Sequence, residues 1–289
     1  MRLASYRLDG RDSYGVVDAA ADVDDSAALV IDIPANLADA PNDLAGFLAR
    51  YDELRDIVGA LRGDAVRLDH LELLPVIPDP RNIIAVGVNY VDHATETNDS
   101  VPPFPLLFSK FTSSISAHGA PIILPKESTQ PDYEAELGIV IARPASEVPA
   151  EGALSYVGGY FTFNDVSARD FQNRTSQWTQ GKGFPTFAPT GPFLVTPDEF
   201  GPPAGHSIRL RIGDEVLQEA NTSDMVFDVA TIVSYVSGVC ALRPGDIIAT
   251  GTPSGIGAAR DPQRFLRPGD VVRVEIDGLP SLENGVTAA

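Results

Sequence analysis

Two short stretches place side chains where they can do chemistry. In "PDYEAELGIVIA", residues 131–142, Glu134 and Glu136 stand two apart at the start of an apolar run. Side chains alternate along a strand, so both carboxylates face the same way, about 7 Å apart. The run that follows is apolar on both faces, as expected of a strand covered on both sides. Two neighbouring anions entering such a region raise each other's pKa or require a cation. No Lys or Arg stands beside them in sequence, so the cation is a residue from elsewhere in the fold or a metal ion. Asp165, at the exit of the strand in "YVGGYFTFNDVSARD", offers a third carboxylate. Three hard oxygen ligands suit Mg²⁺, Mn²⁺ or Ca²⁺ and not zinc, which takes His or Cys. On pattern alone, a solvated strand face is the commoner use of Glu-x-Glu.

The second stretch is "GVNYVDHATET". His93 and Glu96, three apart, share one face of a helix, so Glu96 can orient the imidazole and stabilise its cation. That is what a general base needs, although a solvated ion pair has the same spacing. His70, His118 and His206 have no such partner nearby and read as structural or surface residues. The single cysteine, Cys240, rules out an internal disulfide, and its apolar surroundings "SYVSGVCAL" predict a buried, inert thiol. "GTPSGIG" lacks the lysine and the glycine spacing of nucleotide loops. It reads as a tight turn in which backbone N–H groups, such as that of Gly251, and the Thr252 hydroxyl face a substrate carboxylate or oxyanion. Lys182, between two glycines, supplies local positive charge near Gln172. Arg169 and Asp170 read as a pair fixing the strand exit, while Ser109, Lys110 and Ser114 are within reach of the same pocket. No nucleophile elbow is present, so no serine triad is expected.

These residues must be held by a sheet. From about residue 80 the chain is a series of short β-type runs cut by Gly and Pro: "NIIAVGV", "LLFSKF", "PIILP", "ELGIVIA", "YVGGYFTFN", "GPFLVT", "IRLRIG", "DIIATG" and "VVRVEI". Two helical pieces interrupt them, "YVDHATET" and "VFDVATIVSYVSGVCAL", the latter with Val226, Val229, Ile232, Val233 and Val236 in one stripe. Pro-Gly-Asp follows Leu-Arg twice, each time leading into a strand, as one turn used twice. There is no succession of βαβ units, so the fold class is mainly β (α+β), a rolled sheet. Residues 1–75 form a small N-terminal subdomain, with a hairpin turning at Asp9-Gly10 and one amphipathic helix over residues 44–61. Residues 76–289 form the main domain, after the proline-rich joint "LLPVIPDPRN".

The 289 residues are 44% hydrophobic and 21% charged, an ordinary globular composition. A formal charge of −19 disfavours nucleic acid and anionic membrane as partners. No apolar stretch approaches the ~20 residues that span a bilayer. The N-terminus has no signal-peptide core, so a cytoplasmic location is expected. An anionic substrate would need local positive charge.

"GVNYVDHATE", "DYEAELGIVIA", "GGYFTFNDVSARDFQ", "QWTQGKGF", "APTGPFLVT", "DIIATGTPSGIG" and "LRPGDVVRVEIDGLPSLEN" together resemble the fumarylacetoacetate hydrolase family in order and spacing, from about residue 80 to 286. The resemblance implies a rolled mixed β-sheet of the fumarylacetoacetase C-terminal type, a homodimer, and Mg²⁺ or Mn²⁺ on Glu134, Glu136 and Asp165, with Ca²⁺ as a substitute. It makes His93 and Glu96, on a short lid helix, the catalytic pair and Lys182 the active-site lysine. It puts Gln172, Thr252 and Gly251 near the substrate, and the metal reading of the carboxylates now prevails. Phe184 and Phe187, where many relatives have smaller or more polar residues, suggest an apolar pocket wall and a substrate other than a short, doubly charged diacid. The prolines after the lid suggest a stiffer hinge. The implied activity is hydrolysis of a C–C bond in a β-diketone or acylpyruvate-like 2-oxo acid. Alternatives are a decarboxylase, isomerase, tautomerase or hydratase of aromatic catabolism, and a catalytically idle metal-binding homologue.

Overall fold

Two antiparallel strands that hold the candidate carboxylates run through the middle of the molecule. Every residue of Ala135–Ile141 and of Val157–Asn164 is buried, because the sheet they belong to is covered on both faces. The structure is a computed structural model and describes residues 1–18, 28–63 and 65–289. The segment 19–27, inside the expected N-terminal part, lies outside the described residues.

Among the described residues the large sheet runs, in order, Ala65–Arg67, Leu29–Asp32, Arg11–Val17, Arg2–Leu8, Leu194–Val195, Val157–Asn164, Ala135–Ile141, Ile247–Ala249, Ile83–Gly87 and Leu106–Lys110. All neighbours are antiparallel except Ile247–Ala249 with Ile83–Gly87, which makes the sheet mixed. A second sheet, Glu215–Asn221, Ser207–Ile212, Val271–Ile276, Leu282–Ala288 and Ile122–Leu124, packs against it. The main core fills the space between the sheets and takes in Val229, Ile232, Val233 and Val236 of the helix Val229–Val239. The mainly β, rolled mixed-sheet fold is therefore as expected. No helix is long and apolar enough to cross a membrane among the described residues.

The N-terminal hairpin pairs Arg2–Leu8 with Arg11–Val17, turning at Asp9 and Gly10, both at positive φ. It continues the large sheet through Leu194–Val195. The amphipathic stretch over residues 44–61 is two helices, Leu44–Ala49 and Tyr51–Gly59, because Arg50 leaves the helical region at φ −114° and ψ 21°. Their apolar residues Leu44, Phe47, Leu48, Leu54 and Val58 cover the outer face of the large sheet. The second long helix starts at Val229, where the Asp228 carboxylate accepts the Thr231 N–H at 2.8 Å, so Val226 precedes it. Cys240 caps its far end and is exposed, against the expectation of burial, since the apolar stripe has already rotated away. The two Pro-Gly-Asp turns are alike: Asp246 and Asp270 each accept the N–H of the residue three before, Arg243 and Arg267, both at 2.8 Å. Glu215–Asn221 and Leu282–Ala288 are strands that alternation did not single out.

Candidate metal centre and active site

Register brings the three carboxylates together. Ala135 pairs with Asn164 and Glu136 with Phe163, so the strand ends lie side by side. The Asp165 N–H then donates to the Glu134 carbonyl at 2.9 Å, and the Asn164 side chain accepts the Glu134 N–H at 3.0 Å. Gln218, from the second sheet, accepts the Ala135 N–H at 2.9 Å and donates to Thr252 Oγ1 at 2.9 Å. Each of Glu134, Glu136 and Asp165 offers an oxygen within 4.8 Å of the others, and all three are buried.

Cations surround two of them. Lys182 Nζ donates to Glu134 at 2.7 Å and to Asp165 at 2.8 Å. Arg169 Nη1 pairs with Glu134 at 2.6 Å, and its Nε donates to Asp132 at 2.9 Å. Lys110 pairs with Asp165 from behind. Burial raises the Glu134 carboxyl, but Lys182 and Arg169 outweigh it and bring it to about 2. Glu136 is different. Among the described residues it forms no ion pair, and its Oε2 accepts the Gly251 backbone N–H at 2.8 Å. Burial, then Asp165 and Glu134, push its carboxyl well above the usual range. A buried carboxylate without a cation, beside two more hard oxygen donors, fits a divalent ion.

His93, the candidate base, is on the helix Val91–Glu96 and lines the same chamber as Glu134 and Glu136. His93 Nδ1 meets Glu96 Oε1 at 2.8 Å, and Glu96 Oε2 accepts the Gly255 N–H at 2.8 Å. Asn89 anchors the root of this helix: its side chain donates to the Thr250 carbonyl at 2.7 Å and to the Phe227 carbonyl at 3.0 Å, and accepts the Phe227 N–H at 2.8 Å. Val88, just before it, is held at φ 54°, a conformation that a β-branched residue reaches only at a cost of about 1–3 kcal/mol. His93, Glu134, Glu136, Lys182, Gln172 and Thr252 all line one chamber of about 60 Å³.

Several expected roles change. Lys110, expected near the substrate, is not among the residues that line the chamber; its side chain has no exposure and donates to Asp165 and the Val166 carbonyl. Phe184 packs edge-on against Phe171 and beside Phe187 in the core, so neither Phe184 nor Phe187 forms the pocket wall. The apolar wall is instead Val86, Val88, Phe108, Trp178 and Ile256. The Gly251 N–H faces Glu136 rather than a substrate. Arg169 does not pair with Asp170, whose carboxylate accepts from Ser128 and Thr129. Ser109 and Ser114 bond to backbone carbonyls.

Sequence reasoning missed Asp132 as well. Its buried carboxylate accepts the N–H groups of Gly257 and Ala258 at 2.8 and 2.9 Å as well as Arg169, so it ties the glycine loop to the cluster. Arg169 Nη2 is buried with no hydrogen-bond partner among the described residues, and Arg169 lines the chamber. That leaves one unpaired donor for a ligand anion. Only the Asp132-Tyr133-Glu134 adjacency could have hinted at this arrangement.

Oxygen ligands for a hard cation, a histidine held by a carboxylate and a chamber closed by apolar side chains define a class of site suited to carbonyl chemistry. Residues 82–287 match the family described as fumarylacetoacetate (FAA) hydrolase C-terminal, and the chain belongs to the fumarylacetoacetate hydrolase family. It is 44% identical over 219 residues to a mitochondrial oxaloacetate tautomerase of Xenopus laevis, covering 75% of this chain and 69% of that one. The fold is similar to that of 2-hydroxyhepta-2,4-diene-1,7-dioate isomerase from Mycobacterium marinum, with TM-score 0.81, 32% identity, and 100% and 98% of the two chains covered. It is also similar to maleylpyruvate hydrolase from Sphingobium sp. SYK-6, solved with manganese(II) and pyruvate, with TM-score 0.81, 29% identity, and 100% of both chains covered.

Proposed function

We propose that the chain is a divalent-metal-dependent enzyme, using Mg²⁺ or Mn²⁺, that interconverts the keto and enol forms of a short 2-oxo acid of the oxaloacetate type. The observation that carries this reading is the size of the chamber between His93 and the carboxylates. About 60 Å³ is roughly four to six water-sized positions, room beside the carboxylates for the 2-oxo acid head group and not for a long acyl chain. The tautomerase relative supports the same reading.

A bound ion supplies Lewis-acid polarisation of the 2-oxo carbonyl. The chain's residues do the rest. Glu96 at Nδ1 leaves Nε2 of His93 as the nitrogen that takes the C3 proton. The C–H electron pair becomes the C2–C3 double bond, and charge develops on the carbonyl oxygen. His93 returns the proton to that oxygen, which completes the enol; the reverse order yields the ketone. Lys182, Gln172 and Thr252 face the developing charge, each donor contributing about 3 kcal/mol where its geometry is good. Arg169 Nη2 binds the carboxylate.

The second reading is C–C hydrolysis of an acylpyruvate, with His93 activating water. It is favoured by a further space of about 420 Å³ next to the chamber, which could hold an acyl tail. Decay of enol oxaloacetate, followed by its ultraviolet band with Mg²⁺ present, tests the first reading. An acceleration of about 10²-fold or more that His93→Ala removes is expected. Acid plus pyruvate from acetylpyruvate, with no effect on the enol, would replace it by the second.

A further inference from the structure

The ligand space has two compartments, and a ring of shared side chains stands between them. The inner, about 60 Å³, is lined by Glu134 and Glu136, and the outer, about 420 Å³, adjoins it. Thr97, Asp99, Arg169, Gln172, Trp178 and Ile256 line both and so form a neck. Four of these are tied to each other: Arg169 Nη1 donates to Gln172 at 2.9 Å, and Thr97 Oγ1 to Asp99 at 2.8 Å. Trp178 and Ile256 are the large apolar members.

The indole is seated firmly. A Cβ built on Gly87 would lie 2.3 Å from its Cζ3, so the ring rests on bare backbone. Phe108 meets it edge-on, with ring centroids 5.4 Å apart. Thr179, the next residue, donates to the Ser109 carbonyl at 2.9 Å and pins the short helix Thr179–Lys182 to the strand Leu106–Lys110. That helix also carries Lys182, so indole and cluster lysine are placed by one element.

We propose that Trp178 is the specificity-determining residue of this site: its indole confines the inner compartment to a 2-oxo acid of three or four carbons and makes any longer tail cross the neck beside Ile256. This rests on the reading of the site as a 2-oxo acid enzyme. A rigid aromatic wall acts through shape, and one misfitting methylene in such a pocket changes affinity by about 10- to 200-fold. Gly87 is part of the device, because any side chain there displaces the ring.

The chain has one tryptophan, so its fluorescence reports on this seat directly. The full-length protein loaded with Mg²⁺ is titrated with oxalate, which chelates a divalent ion as a 2-oxo acid does; a saturable change in emission is expected. Calorimetry then compares pyruvate with 2-oxooctanoate. Wild type should bind pyruvate about tenfold tighter or more. Trp178→Ala should erase that preference while Mg²⁺ affinity stays within about twofold, and Trp178→Phe should retain part of it. Gly87→Ala, which moves the ring without removing it, should shift the emission maximum and reduce the preference, and it serves if Trp178→Ala fails to fold. An unchanged pyruvate preference in these variants, or no emission change at saturating oxalate, overturns the proposal. Turnover is not part of this test. Tail-length discrimination lost in Trp178→Ala, in a protein that never enolises a 2-oxo acid, defeats the proposed activity and upholds the role of Trp178. Turnover with an unmoved preference defeats the role of Trp178 alone.

Discussion

Glu96 and Gly255 meet across 159 residues of sequence, the backbone N–H of the glycine donating to Oε2 at 2.8 Å while Oε1 holds His93. One carboxylate thus sets the imidazole and latches the helix Val91–Glu96 to the glycine loop. Gly255 has φ 105°, and a Cβ there would lie 2.1 Å from the Leu217 carbonyl oxygen. Gly255→Ala must therefore shift the loop. We expect kcat to fall by about 10²-fold, because a displacement near 1 Å misaligns the base. Mg²⁺ affinity, measured by calorimetry, should be unchanged; weakened metal binding would show that the loop serves the cluster instead.

His93→Ala should leave the ion in place and remove the proton carrier. Activity should drop by about 10²- to 10⁴-fold. Steady-state kinetics beside a metal titration separates this from a collapsed site: a normal rate would place the base elsewhere.

Glu136 is buried without a cation of its own, so its charge opposes folding until an ion arrives. Glu136→Gln should raise the melting temperature of the metal-free protein. It should also abolish the stabilisation that Mg²⁺ gives wild type, about 2.7 kcal/mol at a hundredfold excess over Kd. Thermal melts with and without EDTA check both halves. Melting of the variant that still responds to Mg²⁺ would remove Glu136 from the ligand set.

Lys110 is fully buried against Asp165. Lys110→Ala removes one partner of a buried pair and should cost about 3–5 kcal/mol in urea denaturation. If stability were unchanged and KM rose, Lys110 would be touching substrate after all.

The chemistry-bearing residues were legible wherever a local period fixes geometry. Two residues on a strand put Glu134 and Glu136 on one face, and three on a helix put His93 beside Glu96. What escaped was set by contacts between distant segments. Arg169 reaches back 37 residues to Asp132 instead of pairing with its neighbour Asp170. Asn89 binds a loop 138 residues away and Gln218 one 34 residues away, and nothing in their surroundings announces it. Phe184 lies in the bend after the short helix Thr179–Lys182, where the sequence shows that an aromatic residue is present but not which side of the chain it packs on. The helix over residues 44–61 kept its periodicity across Arg50, so the break was invisible to a pattern count.

The floor of the chamber has a further consequence. Four buried carboxyl groups, Asp132, Glu134, Glu136 and Asp165, face three buried cations, Lys110, Arg169 and Lys182, each with its charge paired to one of those carboxylates. Within a chain of formal charge −19, that floor has no surplus with which to draw in an acid. A divalent ion reverses the local balance. The order expected of the proposed enzyme is therefore the ion first and the organic anion afterwards, and the anion should bind weakly after chelation.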